Sequence, residues 1–207
     1  MAQITSGFRA IFSSPVIYDL AQNAVGAGRS RTRLARDHLG LHSGMRMLDI
    51  GCGTAAILGC LPNGIDYVGV DLSKAYIESA RRTFGHRGQF HCVDIAEAEP
   101  GEFEDFDVVL ANGLLHHLDD EHVVTMLRVA RAALKSSGRL VTIDPCFDAR
   151  QSRLARFTIA HDRGRNVRAL EGYASLARIV FEDVRAQVRF DMLRIPYTHA
   201  VLECRRQ

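Results

Sequence analysis

The stretch Met47-Leu48-Asp49-Ile50-Gly51-Cys52-Gly53-Thr54-Ala55-Ala56 decides how this chain is to be read. Arg46–Ile50 is short and apolar-rich, as a buried strand is, and the chain then turns through Gly51 and Gly53 into a helical Ala56–Leu61. Glycines at those two positions leave the backbone bare, so a ligand can approach it closely before the helix begins. Twenty positions after Gly51, Asp71 stands at the end of the next strand, Asp66–Leu72. A carboxylate there can accept hydrogen bonds from both hydroxyls of a ribose. After a third strand, Gln89–Val93, come Asp94 and Ile95, an acid and an apolar neighbour suited to bracket an adenine. Each piece is common alone. Their succession at the ends of consecutive strands predicts a nucleotide-like ligand.

Working outward, strands and helices keep alternating. Ser73 caps a helix with Tyr76, Ile77, Ala80 and Phe84 on its inner face. Phe106–Ala111 is a further strand, and Asp119 caps a helix whose Val123, Leu127, Ala130 and Leu134 recur at helical spacing. Gly138 and the strand Arg139–Asp144 follow. This order predicts an α/β, doubly wound, Rossmann-like sheet, mostly parallel and covered on both faces. Near the C-terminus Ala186, Val188, Phe190 and Met192 alternate with Arg185, Gln187, Arg189 and Asp191, the period of an edge strand with one wet face. After Ile195-Pro196, Tyr197–Cys204 reads as a strand returning antiparallel. Ahead of the sheet, Ser14–Ala24 and the basic Arg29–Leu39, which ends at Gly40, read as helices. The expected organisation is an N-terminal helical cap over residues 1–45 and a ligand-binding domain over 46–207. Within it, residues 145–168 form a lid-like connection of little strand character, rich in arginine.

Composition narrows the classes. At 207 residues the chain builds one sizeable core, and 47% hydrophobic with 24% charged residues excludes a disordered or collagen-like chain. The cysteines number 5, an odd count, and none form a Cys-x-x-Cys pair, which argues against a disulfide framework or thiolate zinc site and for a reducing, cytoplasmic setting. No apolar run approaches the roughly 18 residues of a membrane span, and Ser13, Ser14 and Asp19 interrupt any signal-like stretch. His86, His91 and His199 show no metal-ligand spacing, so no metal is expected. The net charge of +2 hides a partition: residues 46–147 carry 9 basic against 15 acidic groups, residues 148–207 carry 12 against 7. An acidic middle suits a cationic ligand, and basic flanks suit an anionic acceptor or surface.

Gly51-x-Gly53-x-x-Ala56 also satisfies the dinucleotide fingerprint, which keeps an NAD(P)-dependent oxidoreductase as the alternative. Two features weigh against it. Asp49 precedes the first glycine by two residues, where a carboxylate disfavours a pyrophosphate and favours an ammonium or sulfonium. A Tyr-x-x-x-Lys dyad is impossible, because Val70 and Arg131 stand four residues before the two lysines, Lys74 and Lys135. S-adenosylmethionine, with its adenosine, ammonium and sulfonium, fits the charge pattern better.

Taken together, Leu48-Asp49-Ile50-Gly51-Cys52-Gly53-Thr54, Gly69-Val70-Asp71-Leu72-Ser73, Asp94-Ile95, Phe106-Asp107-Val108-Val109 and Leu114-Leu115-His116-His117-Leu118 resemble the class I S-adenosylmethionine-dependent methyltransferases. Leu134-Lys135-Ser136-Ser137-Gly138-Arg139-Leu140 is similar as well. The resemblance covers about residues 40–150 and implies a seven-stranded sheet whose last strand is inserted antiparallel. It implies Asp49, Gly51, Cys52 and Gly53 around the methionine moiety, Asp71 on the ribose, Leu72, Asp94 and Ile95 around the adenine, and Asn112 near the amino acid end. Ala55 stands where the family often has a third glycine. Asn112-Gly113-Leu114-Leu115 lacks the Asn/Asp-Pro-Pro-aromatic signature of enzymes that methylate nucleic-acid bases or glutamine.

Methyl transfer from a sulfonium asks the protein to align the partners, exclude water and sometimes take a proton. His116 follows the fourth strand, where open α/β sheets bind ligands, and is the first candidate for that proton; His117 is the second. Tyr18, His161, Arg163, Arg165 and Tyr173 are expected around the acceptor. A basic lid over an acidic floor points to a small-molecule or lipid-like, anionic acceptor methylated at oxygen or nitrogen. A silent S-adenosylmethionine-binding protein is a third reading. Nucleic acid is disfavoured by the absence of a known module and by 7% aromatic content, while the apolar, basic N-terminus allows peripheral membrane contact.

Overall fold

The computed structural model describes residues 26–97, 101–161 and 164–206; the helix expected over Ser14–Ala24, with Tyr18, and Arg163 lie outside them. Among the described residues there are eight strands: β1 (Arg46–Ile50), β2 (Asp66–Val70), β3 (Gly88–His91), β4 (Phe106–Asn112), β5 (Leu134–Phe147), β6 (Arg168–Ala169), β7 (Asp183–Arg189) and β8 (His199–Arg205). Seven of them form one continuous sheet in the order β3-β2-β1-β4-β5-β8-β7, and the short β6 pairs alongside the end of β5. The pairings from β3 across to β5 are parallel, whereas β8 runs antiparallel to both β5 and β7. The alternating segment is therefore the edge strand β7, and the last strand inserts between it and β5, as expected.

Because successive strand residues point to opposite faces, the sheet feeds two apolar clusters. Leu48, Val109, Leu140 and Leu202 face α3 (Asp120–Ala133) and α5 (Leu170–Arg178). Met47, Tyr67, Val108 and Val141 face α1 (Ala27–Leu34) and α2 (Lys74–Phe84). The caps inferred from sequence are made: Ser73 Oγ accepts from the Tyr76 N–H and the Asp119 carboxylate from the His122 N–H, and each such cap contributes on the order of 1 kcal/mol.

Three expectations are refined. The basic N-terminal helix ends at Gly40 (φ 50°), but its last turn, Ala35–Leu39, widens to π geometry. The helix after the glycine turn is a single 3-10 stretch, Ala56–Cys60, preceded by Ala55 at φ 55°; an L-residue held left-handed where a glycine would be unstrained costs about 1 kcal/mol. The connection over 145–168 carries regular elements among its described residues. It contains α4 (Arg153–Ala160), capped by Ser152 with Ala155 and Ile159 buried, and ends in β6. Arg150 pairs with Asp148 and Arg156 lies over the Phe147 ring, so two of its arginines have partners on the connection's own chain.

Candidate active site

Parallel strands bring their carboxyl ends to one edge, and a chain that leaves one strand there to cross to the next opens a crevice. Gly51 (φ 74°) and Gly53 (φ 56°) turn the chain as it leaves β1. The N–H groups of Gly51 and Cys52 both donate to the Val70 carbonyl, at 2.8 and 3.0 Å, which pins the turn to the end of β2. A Cβ on Gly53 would meet nothing within 4 Å, so the backbone there faces open space. Asp71, the residue after β2, accepts from the Gly53 N–H at 2.9 Å and from the Ser73 N–H at 2.7 Å. Burial raises its carboxyl above the ordinary range, and those two bonds draw it back.

Asp49 is buried at 2% exposure, and the Tyr67 hydroxyl donates to its Oδ2 at 2.6 Å. Its Oδ1 is equally buried and has no hydrogen-bond partner among the described residues. Burial pushes the carboxyl up to about 7 despite the Tyr67 bond, with Asp71 adding to the rise. An ionisable oxygen left unpaired inside a protein is costly, and a ligand cation is what would satisfy it. Leu72, two residues beyond β2, presents an apolar side chain that is 60% exposed; after β3, Asp94 is half-buried and Ile95 buried. Asn112 ends β4, exposed. Cys52 is half-buried against Gly69, where a Cβ would come within 2.9 Å of its sulfur, and burial raises its thiol far above the normal range. The expected cofactor residues thus lie on one strand edge. The orphaned Asp49 oxygen, the open backbone at Gly53 and the bare Leu72 fit an adenosyl group carrying an ammonium.

On the neighbouring part of that edge, His116 is buried in the turn Leu115–His117. The Asp144 carboxylate Oδ1 accepts from both the His116 backbone N–H (3.1 Å) and its ring Nδ1 (2.7 Å). That bond fixes the ring and leaves Nε2 as the basic nitrogen. A Cβ on Gly113 would lie 3.8 Å from His116 Cε1, and one on Gly164 would lie 1.9 Å from Cδ2. The two ring carbons that flank Nε2 are therefore bordered by residues without side chains. Asp144 is itself fully enclosed; burial raises its carboxyl and the His116 bonds oppose the rise. His117 is exposed and packs on the His116 ring with centroids 4.0 Å apart.

The remaining acceptor candidates divide. Arg165 is exposed between Gly164, which abuts the His116 ring, and Asn166, whose N–H donates to the His116 carbonyl at 3.0 Å. His161 is exposed at the end of α4, and its Nδ1 donates to the Phe157 carbonyl. Tyr173 is a correction. It is completely buried on α5, its hydroxyl donates to the Pro145 carbonyl at 3.0 Å, and no acceptor can touch it without unpacking the core. Sequence reasoning passed over Tyr67, Asp144 and Arg168, whose partners come from other strands and turns.

Comparison with known proteins agrees with this edge. A family described as "Methyltransferase domain" matches residues 48–140. A ubiquinone biosynthesis O-methyltransferase of Bradyrhizobium sp. (strain ORS 278) is 39% identical over 105 residues, which are 48% of this chain and 39% of that one. An O-methyltransferase of Aspergillus sclerotiorum is 30% identical over 172 residues, 76% of this chain and 64% of that one. The chain thus spans between about two fifths and two thirds of the length of these curated relatives. Among solved structures, a mitomycin 7-O-methyltransferase superposes with a TM-score of 0.70 at 24% identity, covering 92% of this chain and 57% of that one. A TehB-like methyltransferase from Corynebacterium glutamicum gives 0.66 at 17% identity, covering 96% and 100%. At those identities the superpositions speak to the fold. The glycine turn with its ring of carboxylates, the matched domain and the shared fold together support a class I S-adenosylmethionine-dependent methyltransferase.

Proposed function

We propose that this protein transfers a methyl group from S-adenosylmethionine to a hydroxyl oxygen of a small molecule, with His116 accepting the hydroxyl proton. The observation that carries the reading is the His116–Asp144 pair beside the carboxylate-ringed glycine turn. The cofactor supplies an activated methyl on a cationic sulfur. Asp49 balances the ammonium, Asp71 holds the ribose hydroxyls, Leu72 and Ile95 cover the adenine, and Gly51, Gly53 and Asn112 leave room for the amino acid end. His116 Nε2 takes the proton as oxygen bonds to the methyl carbon and the carbon–sulfur bond breaks. The imidazolium that forms is stabilised by Asp144, and burial of both residues keeps competing water away. The O-methyltransferase relatives support oxygen as the acceptor atom. An acceptor bearing a carboxylate or phosphate would meet Arg165 at the rim. The cysteines are free, which supports a reducing, cytoplasmic setting; among the described residues no helix is long and apolar enough to cross a membrane.

The test is turnover of methyl-labelled S-adenosylmethionine with catechol and with 3,4-dihydroxybenzoate, reading labelled ether and S-adenosylhomocysteine together. Labelled ether that vanishes in His116→Ala supports the proposal. Cofactor binding with no methyl transfer to a wide panel of phenols and alcohols would favour the silent binder instead.

A further inference from the structure

Arg168 belongs to β6, a two-residue strand paired in parallel with the end of β5, Cys146 opposite Arg168 and Phe147 opposite Ala169. Every guanidinium nitrogen donates. Nε and Nη2 reach Asp120 Oδ1 at 3.0 and 2.6 Å, Nη2 also reaches the Leu118 carbonyl at 2.9 Å, and Nη1 reaches the carbonyls of Leu115 at 3.1 Å and Asn166 at 2.9 Å. The side chain is only 13% exposed and its guanidinium carbon lies 5.5 Å from the Tyr173 ring centroid. Leu115 and Leu118 are the two sides of the turn that carries His116, and Asp120 begins α3. One side chain therefore ties both ends of that turn, and the helix after it, to a strand lying against β5. The same β5 carries Asp144, two residues before the Cys146 that pairs with Arg168.

We infer that Arg168 is the positioning residue for the His116–Asp144 pair, setting the ring's place by clamping the carbonyls of Leu115 and Leu118 while touching neither acceptor nor cofactor. The inference rests on the reading of His116 as the proton acceptor. The Leu115 carbonyl accepts from the Leu118 N–H at 3.1 Å within the turn, and Arg168 adds a second donor there and a side-chain donor on the Leu118 carbonyl, so one guanidinium holds both ends of the turn. A planar fork with five donors can hold several at fixed angles; a lysine presents three donors on one flexible point and cannot. The segment that delivers Arg168 also lays Gly164 on the imidazole and bonds the His116 carbonyl through Asn166. Displacing a catalytic group by about 1 Å can cost on the order of 100-fold in rate. The expected signature of Arg168→Ala is thus a loss in kcat of about that size, with the KM for catechol and the affinity for S-adenosylhomocysteine unchanged.

The experiment compares Arg168→Ala, Arg168→Lys and Asp120→Asn with an Arg178→Ala control, whose lost partner Glu171 lies on the exposed side of α5. Two quantities are read: catechol kinetics, and the His116 ring in proton–nitrogen NMR, where its Nδ1 proton reports the bond to Asp144. Asp120→Asn keeps an accepting oxygen but removes the charge of the exposed anchor, and it keeps the variant series informative if Arg168→Ala does not fold. Support is a graded fall in kcat (Lys and Asn milder than Ala) with parallel weakening of the Nδ1 resonance and a silent control. A folded Arg168→Ala with wild-type kcat and an unmoved Nδ1 resonance overturns the inference. Full turnover in His116→Ala, by contrast, defeats the proton-acceptor reading; the NMR series still decides whether Arg168 positions the ring.

Discussion

His116 Nδ1 and Asp144 Oδ1 stand 2.7 Å apart, and both residues are almost wholly removed from solvent. A carboxylate that also accepts the His116 backbone N–H holds one tautomer of the ring. Replacing it by an amide of the same shape keeps the packing and removes that preference. Asp144→Asn should reduce catechol turnover by about 10²-fold or more, with S-adenosylhomocysteine binding intact. Equal loss of binding and turnover would mean that Asp144 serves the cofactor crevice rather than the proton.

The tight approach of Gly164 to the imidazole makes a steric prediction. A methyl group placed 1.9 Å from Cδ2 cannot be accommodated without moving either the ring or the chain. Gly164→Ala should cost about 1–3 kcal/mol in denaturant unfolding and lower kcat without weakening cofactor binding. Wild-type stability together with wild-type turnover would show that the segment does not pack on His116.

Asp49 makes cofactor binding depend on pH. Its carboxyl is pushed up to about 7 in the free protein, from an ordinary 3.8, because burial opposes its charge. A bound ammonium favours the ionised form, so between those two values binding expels a proton and strengthens as pH rises. The gain approaches about tenfold per pH unit below 7 and levels off above it. The sign is opposite for folding of the empty protein: the native state holds this proton where the unfolded chain has lost it, so this group's contribution to stability declines as pH climbs through that window. Titration calorimetry with S-adenosylhomocysteine at pH 6, in buffers of different ionisation enthalpy, should register proton release that Asp49→Asn abolishes. Identical heats in all buffers would sink the assignment.

How much of this was readable beforehand follows from what each feature depends on. The glycine turn, the acids at strand ends and the alternation of β7 are local patterns, so residue types alone disclosed them. Helix α4 is also a local feature, with Ser152 as cap and Ala155 and Ile159 at helical spacing, although the arginines around them mask its short apolar face. The pairs Tyr67–Asp49, Asp144–His116 and Arg168–Leu115 join residues 18, 28 and 53 positions apart, through sheet register and a crossover that composition does not reveal. Tyr173 shows the converse. A tyrosine destined for the Pro145 carbonyl looks the same in sequence as one awaiting a substrate.

The ligand of the crevice beyond β1 decides the chemistry of this protein. Isothermal titration of S-adenosylhomocysteine into the wild-type protein and into Asp71→Ala measures this directly. Saturable binding by the wild type is predicted, weakened about 10- to 100-fold when the carboxylate that would hold the ribose is removed, with no comparable heat from NADH. Absence of S-adenosylhomocysteine binding by the folded wild-type protein, or NADH binding that Asp71→Ala abolishes, would contradict it.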